Sequence, residues 1–158
     1  MDLHRFLTGS RPPHSVYFTV LALVASSRGS CARRKTGCVL VDEHNHVLST
    51  GYNGPPAGWP NCTEQACGGV HHRSGEGLDE CIAIHAEANA LLQCADTNAI
   101  HTAYCTTEPC IHCAKLLANT GCRKVVYYEP YPHSSVSRNF WISLPGKREW
   151  IRQPIPQA

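Results

Sequence analysis

The stretch from His85 to Cys113 constrains this chain more than any other. It holds His85-Ala86-Glu87 and, further on, Pro109-Cys110-Ile111-His112-Cys113. Zinc favours four tetrahedral nitrogen and sulfur ligands, and a catalytic zinc leaves one of those positions to water. His85, Cys110 and Cys113 are candidates for the other three. Cys110 and Cys113 stand three residues apart, so on the first turn of a helix they share a face. Pro109 suits a helix start, because its missing N–H would find no partner there anyway. The positive end of such a helix favours both sulfurs as thiolates. Glu87 stands two residues from His85, about 200° round an established helix. A helix beginning near His85 brings both side chains into one pocket, with Glu87 as a proton carrier and not a ligand. A structural zinc would want four protein ligands, and a redox C-x-x-C a thioredoxin-like setting; this set matches neither.

Around that centre the pattern predicts strands alternating with helices. Pro12-Pro13 breaks any helix in residues 1 to 14, which read as an arm. Ser15 is the expected N-cap of a helix running to about Ser27. Gly37 to Asp42 is apolar enough for a strand buried on both faces, and Val47 to Tyr52 returns antiparallel after a short loop. The rigid Asn53 to Gly58 loop follows. Residues 59 to 80 lack a period, and an irregular stretch that long is usually functional or pinned. Helical spacing returns from His85 to about Ala95, then a strand from Ala103 to Thr107 and a helix from Cys110 to Thr120. Gly121 is the expected C-terminal cap, and Lys124 to Tyr128 the next strand. The succession argues a mixed sheet with parallel pairs and helices on its faces. After Tyr131, Pro132, Pro145, Pro154 and Pro156 break the pattern, and residues 132 to 158 receive no assignment.

The 158 residues read as one domain with a single core, residues 15 to 131, and an insertion at 59 to 80. A formal net charge of +2, with Arg33-Arg34-Lys35 the main basic cluster, argues against a stable nucleic-acid partner but not against a small anion. Ten cysteines in a chain of this pattern point to a reducing cytoplasm and metal work, not a secreted disulfide scaffold. The apolar run from Val16 to Ala25 is too short to span a bilayer, so no membrane association is expected.

The pairing of H-x-E with P-C-x-x-C matches the signature of zinc-dependent nucleobase deaminases. The runs HAEANALL, TTEPCIHCAKLLANTGCRKVVYY and GYNGPPAG together resemble deoxycytidylate (dCMP) deaminases of the cytidine deaminase-like superfamily. That resemblance implies an α/β fold, a three-layer α/β/α sandwich with a mixed central sheet of about five strands. It implies hydrolytic deamination of dCMP to dUMP and ammonia, feeding thymidylate synthesis, with a catalytic Zn2+ on His85, Cys110 and Cys113 and Glu87 as the catalytic acid/base. Asn53 would contact the sugar or base, the Ala86 N–H the pyrimidine carbonyl, Tyr131 the deoxyribose, and Arg33 or Arg34 the phosphate.

Some relatives carry a second, structural zinc pinning the insertion. Cys31 and Cys62 match those positions, with Cys81 and one of His71 or His72 to complete four ligands and Cys67 in reserve. Many members are homo-oligomers, often hexamers, activated by dCTP and inhibited by dTTP through the Gly51-Tyr52-Asn53-Gly54 loop, with Mg2+ accompanying the effector. Here Gln93 and Asp96 stand where regulated relatives carry an aromatic residue and an arginine. The rival readings are the same chemistry on dCTP or on a tRNA adenosine, and a catalytically silent zinc-binding module. The presence of Glu87 argues against the last.

Overall fold

The computed structural model describes residues 3–155. Five strands, β1 (Gly37–Val41), β2 (Val47–Tyr52), β3 (Thr102–Thr107), β4 (Lys124–Glu129) and β5 (Glu149–Arg152), form one sheet in the order β2-β1-β3-β4-β5. β1 pairs antiparallel with β2 and β3, while β3–β4 and β4–β5 are parallel. The helices are α1 (Leu3–Thr8), α2 (His14–Ser26), α3 (Ala86–Gln93), α4 (Ile111–Ala118) and α5 (Ser134–Ser143).

Period-two alternation distributes the apolar side chains between the two faces of the sheet. Cys38, Leu40, Ala103, Cys105 and Val125 meet Ala86, Ala90, Leu117 and Trp141 from α3, α4 and α5. Val39, Val41, Tyr104 and Val126 meet Phe18 and Ala22 from α2 on the other side. This is the expected three-layer α/β/α arrangement, and β1 is buried on both faces as its composition requires. The β1–β2 turn is held by Asp42, whose Oδ1 accepts the N–H groups of His44 and His46 at 2.9 and 2.8 Å. Among the described residues no helix is long and apolar enough to cross a membrane; the run at Val16 to Ala25 lies in α2, 13 residues long and packed on the sheet.

Four local expectations change. Ser15 is not the N-cap of α2: the helix begins at His14, and the Pro13 carbonyl accepts the Tyr17 N–H at 3.0 Å. Proline suits this edge because its fixed φ already fits the approach to a helix. Residues 3–8 of the expected arm form α1, from which Phe6 packs against Val16 and Val20. Gly121 does not adopt the left-handed conformation; α4 ends at Ala118 with Asn119 as its C-cap, and a β-carbon at Gly121 would run into the Asn98 backbone. The glycine is needed for close approach.

The largest change is the stretch after residue 131, which supplies α5 and the edge strand β5. Pro132 and Pro145 flank α5, and Pro145 and Pro154 flank β5, so the prolines punctuate elements instead of excluding them. Trp141 is buried at the centre of the larger core cluster, its Nε1 donating to the Glu149 carbonyl at 3.1 Å.

Candidate active site and metal centre

Two helix starts converge on one cleft with Gly37 at the start of β1 and Thr107 at the end of β3. The loop after β2 returns to pair Gly54 with Ile84 through two backbone hydrogen bonds, which sets the chain entering α3 immediately before His85. His85 is the N-cap of α3, in extended conformation, and Glu87 lies in the first helical turn. That break in geometry between residues 85 and 86 lets His85 and Glu87 line one cleft despite their spacing. α3 is drawn onto β2 by Ser49, whose hydroxyl donates to the Ala90 carbonyl at 2.8 Å, and by Asn89, whose Nδ2 donates to the Tyr52 carbonyl at 2.8 Å. Gly51 permits the approach, since a β-carbon there would collide with the Ala86 carbonyl and the Ala90 amide.

Cys110 is the N-cap of α4 and Cys113 lies in its first turn. His85 Nδ1 stands 3.5 Å from Cys110 Sγ and 3.4 Å from Cys113 Sγ. A nitrogen and a sulfur sharing one tetrahedral zinc would be about 3.6 Å apart, given the usual Zn–N and Zn–S lengths. All three ligand atoms lie within 4.8 Å of one another, and no other group among the described residues does this. The donor set fits zinc in charge as well as distance. A hydrogen bond from Cys113, seconded by His85, holds Cys110 down to about 3. The same sharing pushes Cys113 up, and the bond to Cys110 raises His85. The three groups retain a proton that a dication would displace. Burial raises the Glu87 carboxyl, and the neighbouring His85 opposes that shift.

The cleft is lined by Glu87, Asn53, Arg33, Arg34, Gly75 and Tyr131 among others. Ala86 presents there as the first residue of α3, where the N–H has no intrahelical acceptor. Asn53 is largely engaged by the protein: Oδ1 accepts the Thr36 N–H and Nδ2 donates to the Arg34 carbonyl, each at 2.8 Å. It therefore fixes the backbone that carries the two arginines.

Arg33 directs its Nη1 to the carbonyls of His72, Arg73 and Glu76 at 3.4, 3.0 and 2.9 Å. Arg34 differs: its Nη1 is buried without a hydrogen-bond partner. Tyr131 rests against Gly75, whose φ of +88° suits glycine, and its N–H donates to Glu108 Oε2 at 3.3 Å.

Glu108 escaped the sequence reading. It is buried, accepts Trp150 Nε1 at 2.6 Å through Oε1, and so ties Tyr131 to β5. Its place beside Pro109 in the TTEPC run was the available signal, but its partners lie in the unassigned stretch.

The insertion's thiols gather separately. Cys62 Sγ stands 3.9 Å from Cys67 Sγ, Cys67 also bonds the Cys81 side chain, and Cys31 lies close enough to raise Cys62 after burial has done so. His71 is exposed and His72 pairs with Glu80 at 3.0 Å.

A family model, the cytidine and deoxycytidylate deaminase zinc-binding region, matches residues 13–129. The chain belongs to that family. Within the deaminase family, a deoxycytidylate deaminase of Schizosaccharomyces pombe is 41% identical over 150 residues, covering 92% of this chain and 45% of the relative. One from Mycobacterium phage D29 is 43% identical over 125 residues, covering 75% of this chain and 96% of the relative. The chain thus spans less than half of the fission-yeast relative and nearly all of the phage one. The fold is shared with the cyanophage S-TIM5 dCMP deaminase solved with dCMP and dUMP, at a TM-score of 0.66 and 24% identity over 92% of this chain and 100% of that one. Zinc is accordingly the metal for the His–Cys–Cys group.

Proposed function

We propose that this deaminase-family chain hydrolyses dCMP to dUMP and ammonia. One observation carries the reading: a single cleft holds the His85, Cys110 and Glu87 side chains and also Arg34, whose buried nitrogen has no partner in the protein. The first group suits hydrolytic deamination, and the second suits a phosphate, since guanidinium offers paired donors to phosphate oxygens. Deoxycytidylate deaminases at 41% and 43% identity support the same substrate.

His85, Cys110 and Cys113 would hold the zinc ion, which when bound would supply a water activated towards a pKa of about 7. Glu87 accepts that water's proton and passes it to N3 of the cytosine while oxygen adds at C4. A second transfer through Glu87 to the 4-amino group lets ammonia leave, so water and dCMP become dUMP and ammonia. A buried carboxyl with a raised pKa suits a group that must both take and give a proton. The Ala86 N–H orients the pyrimidine carbonyl, Tyr131 bounds the sugar side, Asn53 keeps Arg34 in place, and Arg33 fixes the 72–76 segment over the cleft.

Ammonia release from cytidine, deoxycytidine, dCMP, CMP, dCTP and a tRNA stem-loop tests this. Fastest turnover of dCMP, reduced about 10²–10⁴-fold in Glu87→Gln with zinc retained, is expected. Faster turnover of dCTP or the RNA overturns the substrate; full activity in the variant overturns the role of Glu87.

Further parts of the reading rest on that activity. A second structural zinc would be held by Cys31, Cys62, Cys67 and Cys81, with His71 replaced by Cys67 because of where the thiols gather. Homo-oligomers, hexamers by family precedent, are supported by exposed apolar side chains such as Leu92, 77% exposed on α3. Control by dCTP or dTTP with Mg2+ belongs with that assembly, and the ten free cysteines suit a reducing cytoplasm.

A further inference from the structure

Tyr131 meets the cleft with two different ends. At its root the backbone N–H donates to Glu108 Oε2 at 3.3 Å. At its tip the hydroxyl lies 3.1 Å from the place a β-carbon on Gly75 would take, so it packs against bare backbone of the 72–76 segment. That hydroxyl makes no hydrogen bond to another described residue. Burial raises the phenol above its ordinary range; the Cys110 side chain adds to the shift, and the charges of Arg33 and Arg34 oppose it. The tip is therefore a protonated donor at neutral pH, standing in the field of both arginines.

Arg34 Nη1 is buried without a partner and lines the same cleft. One cleft thus holds two unused donors, one cationic and one neutral. Together they call for an acceptor that carries negative charge and several lone pairs. A pyrimidine carbonyl offers one neutral oxygen, and a sugar hydroxyl brings a donor of its own. A terminal phosphate offers three strong acceptor oxygens and a charge of about −1.5 to −2. The carboxylates that line the cleft do not answer these donors: Glu87 stands at the metal centre, and Glu108 holds Trp150 and the root of Tyr131.

We infer that the Tyr131 hydroxyl shares the substrate's 5′-phosphate with Arg34, which makes Tyr131 a specificity-determining residue for nucleotides over nucleosides and not only a wall beside the sugar. The inference rests on the nucleotide reading of the cleft. Arg34 supplies the charge and Tyr131 a directional bond. Each holds the phosphate where the other can reach it, so their contributions are coupled.

Calorimetry on the zinc-loaded protein tests this with dUMP and deoxyuridine, which bind without turnover; the weaker ligand is read by displacement of the stronger. Wild type should bind dUMP much more tightly than deoxyuridine. Tyr131→Phe keeps the ring and removes only the hydroxyl. It should weaken dUMP about tenfold, the worth of one hydrogen bond to a charged group, and leave deoxyuridine unchanged. The loss should appear in KM for dCMP, with kcat at saturation within about twofold of wild type. In the double variant with Arg34→Met, the loss in dUMP affinity should be smaller than the product of the two single losses.

Zinc content and Tm are measured beside each titration. Unchanged dUMP affinity in Tyr131→Phe overturns the inference. So does an equal loss for both ligands, or a loss that comes with lowered zinc or Tm, since either gives the hydroxyl a role in holding the nucleoside or the fold. Fully multiplicative losses in the double variant overturn the sharing of one phosphate. A wild-type protein that binds deoxyuridine as tightly as dUMP overturns the nucleotide reading of the cleft, and this inference with it.

Discussion

Arg33 and Arg34 are neighbours in sequence, yet only Arg34 has a buried donor left for a ligand. Arg33 bonds three carbonyls of the 72–76 segment, whereas Arg34 Nη1 has none. Arg34→Met should therefore raise KM for dCMP about tenfold to a hundredfold, as expected for losing a charge-assisted bond, and barely change deoxycytidine kinetics. Arg33→Met should impair both substrates alike and make the 72–76 segment susceptible to protease, because it frees three carbonyls and not a phosphate site. Steady-state kinetics on the two substrates, with limited proteolysis, separates the roles; matched effects in the two variants would refute the division. The basic cluster was legible in the sequence. Both arginines line the cleft, and which of them keeps a donor free was not legible, because that depends on the 72–76 carbonyls, some forty positions away, that occupy Arg33.

The elements most legible in the sequence are those whose signal is local. β1 and β2 follow from apolar runs and a polar turn, and α3 and α4 from spacing around His85 and Pro109. α5 and β5 were hidden because their stability comes from partners distant in sequence. Trp141 packs among residues of β1, β3 and α4, and Trp150 reaches Glu108, forty-two positions away. Trp150→Phe should keep most of the packing but release Glu108. Its expected effect is a severalfold rise in KM through Tyr131, with a small loss in Tm; an unchanged KM would show that the Glu108 link does not position Tyr131.

The turn between α4 and β4 also carries a pH dependence. Burial pushes the Cys122 thiol from about 9 up to about 12. The folded state thus holds a proton that the unfolded chain releases above pH 9, so this contribution is complete below pH 9 and falls between pH 9 and 12. At 1.36 kcal/mol per unit the full loss is about 4 kcal/mol. Urea unfolding from pH 8 to 11 should show declining stability, and Cys122→Val should flatten the decline without abolishing it, since burial and its partner Cys38 raise Cys105 too.

At the scale of the molecule, the metal group joins parts that the sheet alone leaves independent. His85 begins α3, which packs on β1 and β2; Cys110 and Cys113 begin α4, which packs on α3 and α5. A ligand that binds only the folded arrangement stabilises it by mass action, by about 2.7 kcal/mol when free metal exceeds its Kd a hundredfold. Chelation should therefore lower Tm, and titrated zinc should restore it in step with activity. The gathered thiols of the insertion complicate this simple result, because a chelator would strip a second zinc as well. His85→Ala separates the two. If only the His85 group binds zinc, the variant should begin with the lowered Tm and be indifferent to chelator. If Cys31, Cys62, Cys67 and Cys81 hold a second ion, the variant should retain about one zinc per chain and lose further stability on chelation. That further loss should be reproduced by Cys67→Ala and left untouched by His71→Ala, since His71 lies exposed while Cys67 sits among the other sulfurs. Metal content by atomic absorption, measured beside each melt, decides between these outcomes. A His85→Ala protein that binds no zinc and ignores chelator would eliminate the second site while leaving the first intact.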